Sequence, residues 1–282
     1  MQISSQFGFG LELVSDLWVP GAVAVAPRGN APSVRIVISD ACAVDPDVQF
    51  VCEGAAIVYR HPTGVFRCRP DNIEIAPGEP LDLDDLGTLL VANALPAVLW
   101  QRGAFVLHAA CVRLPDGLTI AIAGPSGAGK SRLAASFVEA GAELIGDDSL
   151  ALAVNEDGVL ASGLPGGWFS RDKDSPHREF RSNPGGPSGG MARLDILAVL
   201  DEADPVKAGH SPLASFEMLM QNRHRPQVPL LLGLQGQVLA HAARIVQRLP
   251  VVRFAAGLGS IQDLASTRTA LDRLAREARY VR

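Results

Sequence analysis

The chain has 282 residues, of which 48% are hydrophobic and 20% are charged, and its formal net charge is −5. A chain of this length can form one large domain or two smaller ones with a sizeable core. Its negative charge argues against a nonspecific nucleic-acid-binding protein, which needs a basic surface.

Cysteine spacing and the distribution of apolar residues indicate the compartment. The four cysteines lie far apart without a C-x-x-C pair, which favours free thiols in a reducing environment over disulfides or a zinc site. No basic segment precedes an apolar run at the N-terminus, so no signal peptide is expected. The longest apolar stretch, residues 89–100, is too short to span a bilayer. We therefore expect a cytoplasmic protein without membrane or nucleic-acid partners.

The first 100 residues read as short strands followed by a helix. Residues 34–38 and 55–59 alternate in the manner of strands, and the sequence His-Pro-Thr-Gly at 61–64 is typical of a hairpin turn. Residues 82–99 carry an apolar stripe at helical spacing. We expect residues 1–100 to form a β-rich N-terminal region, a small antiparallel layer with a connecting helix, and we find no catalytic motif in it.

A strand, a glycine-rich loop and a helix follow. Residues 104–114 and 118–123 are predicted strands joined by a Pro-Asp-Gly turn, and residues 131–140 are a predicted helix that ends at Gly141. Between them, residues 124–131 read G-P-S-G-A-G-K-S and match G-x-x-x-x-G-K-[ST], the phosphate-binding P-loop. A chance match in a glycine-rich chain is the alternative, but the strand before the loop and the helix after it favour nucleotide binding.

The chemistry of a P-loop assigns a role to each of these residues. Its glycines let backbone N–H groups wrap a polyphosphate, and the helix that follows adds its positive N-terminal end. Lys130 would contact the β- and γ-phosphate oxygens, and the Ser131 hydroxyl would bind Mg²⁺. We expect Lys130 to be exposed on the loop. The residues predicted to contact ATP are Gly124, Pro125, Ser126, Gly127, Ala128, Gly129, Lys130, Ser131 and Arg132.

Two adjacent aspartates, Asp147 and Asp148, follow a predicted strand at 143–146. Ligands of α/β sheets bind at the carboxyl ends of strands, and we expect this strand to lie beside the P-loop strand. A P-loop kinase needs an acidic residue at its Mg²⁺ site and a carboxylate that accepts the proton of the attacking hydroxyl. A turn or a helix cap is the alternative role for the pair.

His108 lies among apolar residues in the predicted strand 104–114. A histidine in such a strand is commonly structural, but pairing with the P-loop strand would aim this one towards the nucleotide. Both readings stay open on the residues alone.

The remainder of the chain alternates strands and helices around one long loop. The predicted elements are a hairpin at 150–154 and 159–164, an arginine-bearing mobile loop at 165–190, a strand at 191–200, helices at 211–221 and 236–248, a strand at 251–255 and a helix at 261–280. Long structureless loops in compact domains are commonly lids or binding segments.

The order of these motifs resembles the C-terminal domain of HPr kinase/phosphorylase. The resemblance is carried by Arg102-Gly103, Leu107-His108-Ala109, the P-loop and the Leu-Ile-Gly-Asp-Asp sequence at 144–148. It is strong over about 102–155 and weaker but collinear over 191–275. Among relatives, the chain is most similar to the HPr-kinase-like proteins found with peptide-modification and lasso-peptide biosynthesis systems. The resemblance implies an α/β P-loop kinase fold, related to phosphoenolpyruvate carboxykinase, over residues 101–282.

The resemblance also implies an activity and roles for individual residues. Members of this family phosphorylate a serine in a protein or peptide with ATP and Mg²⁺. By this resemblance Asp147 would be the general base, His108 would lie near the transferred phosphate, and Lys130 and Ser131 would keep their P-loop roles. We expect Ser131 and Asp148 to hold the metal. Which aspartate is the base and which is associated with the metal stays open. Arg132 stands where HPr kinases have a glutamate, and their glycine-rich signature is not found in 155–195.

These observations together predict an ATP-dependent serine kinase. The expected acceptor is a peptide or small protein, with the precursor of a ribosomally made, lasso-type peptide as the leading candidate. The alternatives are an HPr-type protein kinase, a small-molecule kinase of the same fold, and a noncatalytic ATP-binding regulatory subunit. The paired aspartates favour a kinase, because a switch needs only one acid near the metal. A homo-oligomer is compatible with the sequence.

Overall fold

A computed structural model describes residues 4–24, 31–41, 47–171, 178–186, 189–201, 211–255 and 264–280. Over these ranges the protein is a mixed α/β structure with three larger sheets and one two-stranded ribbon.

The first sheet is formed by the N-terminal part of the chain. Its strands are β1 Ser4–Gly8, β2 Leu11–Ser15, β3 Val23–Ala24, β4 Ser33–Ile38, β5 Gln49–Glu53, β6 Ala56–His61, β7 Gly64–Arg69 and β8 Asn72–Pro77. They lie in the order β3-β1-β2-β4-β8-β7-β6-β5. The predicted turn joins β6 to β7, with His61 opposite Gly64.

The expectation of a purely antiparallel layer is wrong at one strand. β4 pairs parallel with β2 and with β8, whereas the other pairs of this sheet are antiparallel. Apart from β3, which pairs with β1 across the intervening β2 segment, the antiparallel partners follow one another through short turns, but β4 reaches its neighbours through longer connections. Tight hairpins impose antiparallel pairing, and longer connections do not.

A long helical run connects this sheet to the rest of the protein. It consists of α1 Leu83–Leu89, a π-helical segment Leu90–Ala94, and α2 Leu95–Gln101. The side chain of Asp82 caps its start by accepting from the amides of Asp84 and Asp85. In the part of the chain that the structure describes, Leu83–Gln101 is long and apolar enough to cross a membrane, but 67% of its apolar window is buried in the protein. This degree of burial is typical of a helix in the core of a protein.

The second half of the chain contributes further strands and helices. The strands are β9 Phe105–Leu107, β10 Ala109–Arg113, β11 Thr119–Ala123, β12 Glu143–Gly146, β13 Leu150–Asn155, β14 Gly158–Ser162, β15 Gly167–Arg171, β16 Arg178–Ser182, β17 Met191–Leu194, β18 Ile196–Asp201 and β19 Val251–Ala255. The helices are α3 Lys130–Glu139, α4 Pro212–Gln221, α5 Gln227–Leu231, α6 Gln235–Val246 and α7 Leu264–Tyr280.

The central sheet has the order β12-β10-β11-β18-β19. β11, which leads into the glycine-rich loop, is buried along its whole length. Ile120 and Ile122 face a core shared with α3 and α7, and Ala121 and Ala123 face the larger core that includes the N-terminal sheet. The loop after β11 therefore starts from a strand that is packed on both faces.

The position of β12 corrects one expectation. We expected this strand to lie beside β11, but β10 lies between them. β10 is antiparallel to both, so β12 and β11 run in the same direction. The carboxyl end of β12 thus still lies at the same edge of the sheet as the glycine-rich loop, as expected for a strand that is followed by ligand-binding residues.

The chain passes between the central sheet and a second sheet, β17-β14-β13-β9, at residue 195 between β17 and β18 and at two further points that neighbour each other. The predicted strand 104–114 is broken at His108, where β9 of the second sheet gives way to β10 of the central sheet. Residues 147–149 make the reverse passage from β12 to β13. Because β9 pairs with β13, with Leu107 opposite Leu150, the two passages lie side by side.

The predicted loop 165–190 contains an unpredicted two-stranded ribbon. β15 and β16 pair antiparallel, and the rings of Phe169 and Phe180 make an edge contact with centroids 5.5 Å apart. Trp18 of the N-terminal sheet region contacts Phe180 in the same way at 5.1 Å. Residues 172–177 and 187–188 of the predicted loop, and 261–263 of the predicted last helix, lie outside the described residues.

Candidate active site

The glycine-rich loop has a backbone that only glycine adopts readily. Gly127 and Gly129 have φ values of 83° and 89°, in the left-handed region that disfavours side chains. At Gly124, where φ is 143°, an added Cβ would also lie 3.0 Å from the carbonyl oxygen of Leu200. Gly129 is the N-cap of α3, and no side chain caps this helix. The loop therefore offers a helix N-terminus to an anion.

Lys130 is buried against the loop, which contradicts the expectation that it is exposed. Only 6% of the residue is accessible to solvent. Its Nζ donates to the carbonyl oxygens of Gly124 and Pro125, both at 2.9 Å. The side chain folds back from the first turn of α3 onto carbonyl groups five and six residues earlier, a direction that the residue pattern alone does not report. An ammonium group is thus held beside the anion-binding backbone.

Ser131 and Asp147 form a pair next to this ammonium group. The Ser131 hydroxyl donates to Asp147 Oδ1 at 2.9 Å, and Asp147 is 6% exposed. Its other oxygen, Oδ2, is buried and has no hydrogen-bond partner in the described part of the chain. Burial, and then the charge of Asp148, raise the pKa of Asp147 to about 7, although Ser131 and Lys130 oppose this.

This donor set fits Mg²⁺. A hard divalent cation prefers hydroxyl, carboxylate and phosphate oxygens, and a buried carboxylate oxygen without a donor is stabilised by a cation. Ser131 and Asp147 would hold the ion, and the residues of the loop would bind the phosphates beside it.

The chain makes a tight turn at the second of the two adjacent aspartates. The amide of Ser149 donates to the carbonyl of Asp147 at 2.8 Å, and Asp148, which lies between Asp147 and Ser149, has a φ of 65°. A non-glycine residue with this φ is strained, and such strain is often found at functional sites. The turn directs Asp148 away from the Ser131 pair, and its Oδ1 lies 3.8 Å from His108 Nδ1.

His108 is joined by His224, a histidine that the sequence analysis did not single out. The His108 amide donates to the Asn222 carbonyl at 2.9 Å, and the His224 amide donates to the Val106 carbonyl at 2.8 Å. The segment between α4 and α5 thus pairs with β9. The Trp100 indole also donates to the His224 carbonyl at 2.8 Å. The two imidazole rings lie with their centroids 5.0 Å apart.

Both rings are hydrogen-bonded to the turn that carries the aspartates. His108 Nδ1 donates to the Asp148 carbonyl oxygen at 2.9 Å, and His224 Nδ1 lies 2.8 Å from the Ser149 hydroxyl. One ligand atom from each of His108, Asp148 and His224 lies within 4.8 Å of the others.

A cavity of about 630 Å³ opens from this cluster. Its lining includes His108, Asp148 and His224 together with Ser126 of the glycine-rich loop. The wall opposite is formed by the N-terminal sheet, including Phe50 and Tyr59, and by α1 and the π-helical segment. The N-terminal region, which carries no catalytic motif, therefore contributes to the site through its shape.

Arg225 enters the same cavity from the segment after His224. Its Nε donates to the Ala92 carbonyl at 2.8 Å, and its φ is 51°. Ala92 lies four residues before Pro96, which has no amide hydrogen to donate to that carbonyl. The proline in the helix thus makes an acceptor available for the arginine. Arg225 also opposes the rise that burial causes in the pKa of Tyr59, and both side chains line the cavity.

The predicted residues therefore fall into two groups. The structure brings Lys130, Ser131 and Asp147 together at the loop, and it brings His108 and Asp148 together at the cavity. Arg132 is exposed on α3, and the contacts predicted between ATP and the loop stay a prediction. The residues missed by sequence reasoning are His224 and Arg225, together with Arg223, which also lines the cavity. The only available signal for them was the polar sequence Asn-Arg-His-Arg-Pro at 222–226.

Comparison with known proteins identifies a distant structural match. No family model matches this chain, and no curated protein matches it. Among solved structures, the HPr(Ser) kinase/phosphatase from Coxiella burnetii aligns with a TM-score of 0.34 and 15% sequence identity, over 62% of this chain and 90% of that chain. A likeness at this level carries no argument about function. The function is therefore argued from the geometry of the site.

Proposed function

We propose that this protein is a cytoplasmic, ATP-dependent phosphotransferase that transfers the γ-phosphoryl group to a hydroxyl acceptor. One observation carries the proposal: the Lys130–Ser131–Asp147 group at the glycine-rich loop adjoins a cavity that contains a second carboxylate, Asp148. A nucleotide-binding switch needs the first group only, whereas phosphoryl transfer also needs an acceptor site beside it.

We assign different roles to the two aspartates. Asp147 is bonded to Ser131 and does not line the cavity, so we assign it to the Mg²⁺ side of the site. Asp148 lines the cavity, so we assign it to the acceptor. This division exchanges the roles predicted in the sequence analysis, in which Asp147 is the base and Asp148 binds the metal. Both assignments are proposals that the variants described in the Discussion distinguish.

The proposed transfer proceeds as follows. The acceptor oxygen forms a bond to the γ-phosphorus while the bond to the β,γ-bridging oxygen breaks, and that electron pair leaves on ADP. The proton of the acceptor hydroxyl passes to Asp148, beside which His108 is held. Lys130 stabilises charge on the phosphoryl oxygens. Mg²⁺ at Ser131 and Asp147 would neutralise the polyphosphate.

We further propose that the acceptor is a serine of a peptide or small protein, with a lasso-type precursor peptide as the leading candidate. The arrangement of the N-terminal sheet supports a peptide as the acceptor. β5 is the last strand at one end of this sheet, and its residues Gln49 and Phe50 line the cavity. An extended peptide can pair with an edge strand, and from β5 it would present a side chain to Asp148.

A small-molecule acceptor is the second candidate, and the size of the cavity favours it. A volume of about 630 Å³ lies within the range of small-ligand pockets. A small molecule would occupy the space between Tyr59, Arg225 and Asp148 without needing the edge of β5.

Transfer of label from γ-labelled ATP to a set of acceptors tests the proposal. The set should contain serine-bearing precursor peptides, HPr, and small hydroxyl compounds with an anionic group. We expect Mg²⁺-dependent labelling of one class by the parent protein and none by Lys130→Ala. ATP binding without transfer to any acceptor would support a regulatory subunit, and absence of ATP binding would contradict the proposal altogether.

A further inference from the structure

We propose that His108, Asp148 and His224 bind a divalent transition-metal ion, separate from the Mg²⁺ site at Ser131 and Asp147. The inference deepens the proposed function, because it assigns a metal to the acceptor side of the same cavity. It nevertheless rests on side chains whose metal binding can be measured without any phosphoryl transfer.

The donor atoms determine the class of metal. Two imidazole nitrogens and one carboxylate oxygen suit Zn²⁺, Fe²⁺ or Co²⁺, whereas Mg²⁺ prefers oxygen donors only. One ligand atom from each residue lies within 4.8 Å of the others. Ligands bound at about 2.0–2.2 Å in a tetrahedral site lie about 3.3–3.6 Å apart, so an inward movement of the side chains by about 1 Å would close the site.

The surroundings of both histidines are those of metal-binding imidazoles. Metal-bound histidines commonly use one ring nitrogen for the metal and the other for a hydrogen bond that fixes the ring. His108 Nδ1 is held by the Asp148 carbonyl, and His224 Nδ1 is held by the Ser149 hydroxyl. The two outer partners belong to the same turn as the carboxylate. The turn would therefore orient all three ligands at once.

A simple ion pair between Asp148 and His108 explains the geometry less well. The carboxylate oxygen lies 3.8 Å from His108 Nδ1, which is beyond hydrogen-bond distance, and this nitrogen already donates to the Asp148 backbone. His224, which is 7% exposed, is not needed for such a pair. A shared cation accounts for the convergence of all three residues.

The position of the cluster indicates a catalytic rather than a structural ion. A structural zinc site has four protein ligands, whereas a catalytic site has three and leaves a position for water or substrate. All three proposed ligands line the cavity. An acceptor hydroxyl bound there would have a lowered pKa. One oxygen of Asp148 would contact the ion, and the other would take the proton of the acceptor.

Cobalt binding without nucleotide tests the site. After metal is removed with a chelator, we expect the protein to bind one Co²⁺ per chain in equilibrium dialysis and to show visible d–d absorption typical of nitrogen ligation. His224→Gln, His108→Gln and Asp148→Asn should each weaken Co²⁺ binding at least tenfold. Ser149→Ala keeps all three ligands and removes an outer hydrogen bond, so it should weaken binding less than the ligand variants do, by about tenfold.

His241→Gln is the matched control, because it makes the same substitution at a partly buried histidine that contacts Phe105 rather than the cavity. It should bind Co²⁺ like the parent. Circular dichroism and melting temperature establish that each variant is folded. If His224→Gln does not fold, His108→Gln replaces it as the test variant, because His108 is more exposed. Equal Co²⁺ binding by the parent and all three ligand variants would overturn the proposal, as would no stoichiometric binding by the parent.

Parallel titration with Mg²⁺ and ATP separates this inference from the proposed function. If His224→Gln loses Co²⁺ binding but retains ATP binding, this result supports two separate sites. A parent that binds Mg²⁺ and ATP but not Co²⁺ leaves the phosphotransferase proposal in place and removes only the second metal.

Discussion

The two halves of the site, on either side of the turn at Asp148, are built in different ways. On the phosphate side, Lys130 and Ser131 come from one contiguous loop and helix, and Asp147 reaches them from the end of β12. On the acceptor side, His108, Asp148 and His224 come from three distant segments that meet where the chain passes between two sheets. One side is assembled locally around a conformation that glycine permits. The other depends on the packing of the whole protein.

This difference indicates how changes in sequence should affect each of the two sides. In the proposed function, the phosphate side is fixed by the strand, loop and helix, so it could serve many acceptors without change. The acceptor side is bounded by the N-terminal sheet, the π-helical segment and the segment 222–226. Changes in these elements would alter the acceptor and leave nucleotide binding intact. Substitutions on the two sides should therefore have separable effects.

The largest expected effect concerns Lys130. Lys130→Ala removes a charge beside the phosphates and two charge-assisted hydrogen bonds to the loop, so ATP affinity should fall by about 100-fold or more. Because the side chain is buried, the free energy of unfolding should also fall, by about 1–3 kcal/mol. Calorimetric titration and chemical denaturation measure the two effects. Arg273→Ala, at an exposed position on α7, should change neither, and undiminished ATP affinity in Lys130→Ala would remove the phosphate-site assignment.

The next effect is a gain of stability from Asp147→Asn. The pKa of Asp147 is raised from 3.8 to about 7, so its contribution to stability is fully present below pH 3.8 and is lost as the pH rises through about 7. Above that pH the metal-free protein carries a buried charge, and removing it should raise the free energy of unfolding by about 2 kcal/mol. Denaturation of the metal-free protein at several pH values measures this. The gain should be smallest near pH 4 and level off above about pH 7, and a gain independent of pH would contradict the assignment.

A third prediction concerns the pH dependence of Mg²⁺ binding. Below about pH 7, Asp147 is protonated and must lose its proton before it contacts the ion. The affinity for Mg²⁺ with ATP should therefore fall as pH decreases, approaching tenfold per unit well below that pKa. Titration between pH 5 and pH 8 (about two units below and one above it) measures the slope. ATP itself also takes up protons, so the slope is compared with that of Asp147→Asn, which should be shallower. Equal slopes would show that Asp147 does not contact the ion.

The smallest effect should come from Trp100→Phe, which acts on the acceptor side only. It removes the indole donor to the His224 carbonyl and keeps an aromatic ring beside Phe105. We expect a loss of about 1 kcal/mol in the free energy of unfolding, an increased KM for the acceptor, and unchanged ATP affinity. A change in ATP affinity as large as the change in acceptor KM would show that the two sides are not separable.

The contrast between the two sides also explains what could be predicted from sequence. The β10–β11 hairpin, the glycine-rich loop and α3 follow from local patterns, because turn chemistry and hydrophobic periodicity determine them. His224 could not be found in this way, since it joins the site by pairing with β9, which lies more than a hundred residues earlier. The ribbon of β15 and β16 was missed for the same reason, because it depends on tertiary contacts such as that between Trp18 and Phe180. The burial of Lys130 was missed for a different reason: its side chain folds back onto carbonyl groups only five and six residues earlier, and a residue pattern does not show the direction of a side chain.

The central claim is that Asp147 serves the phosphate side and Asp148 the acceptor side. The most direct test measures Mg²⁺–ATP affinity and single-turnover phosphoryl transfer, at saturating nucleotide, for Asp147→Asn and Asp148→Asn. We expect Asp147→Asn to weaken Mg²⁺–ATP binding by about 10- to 100-fold, and Asp148→Asn to bind Mg²⁺–ATP like the parent but transfer about 10²- to 10⁴-fold more slowly. The reverse pattern would restore the roles predicted from the sequence, and parent-like transfer by both variants would contradict the mechanism.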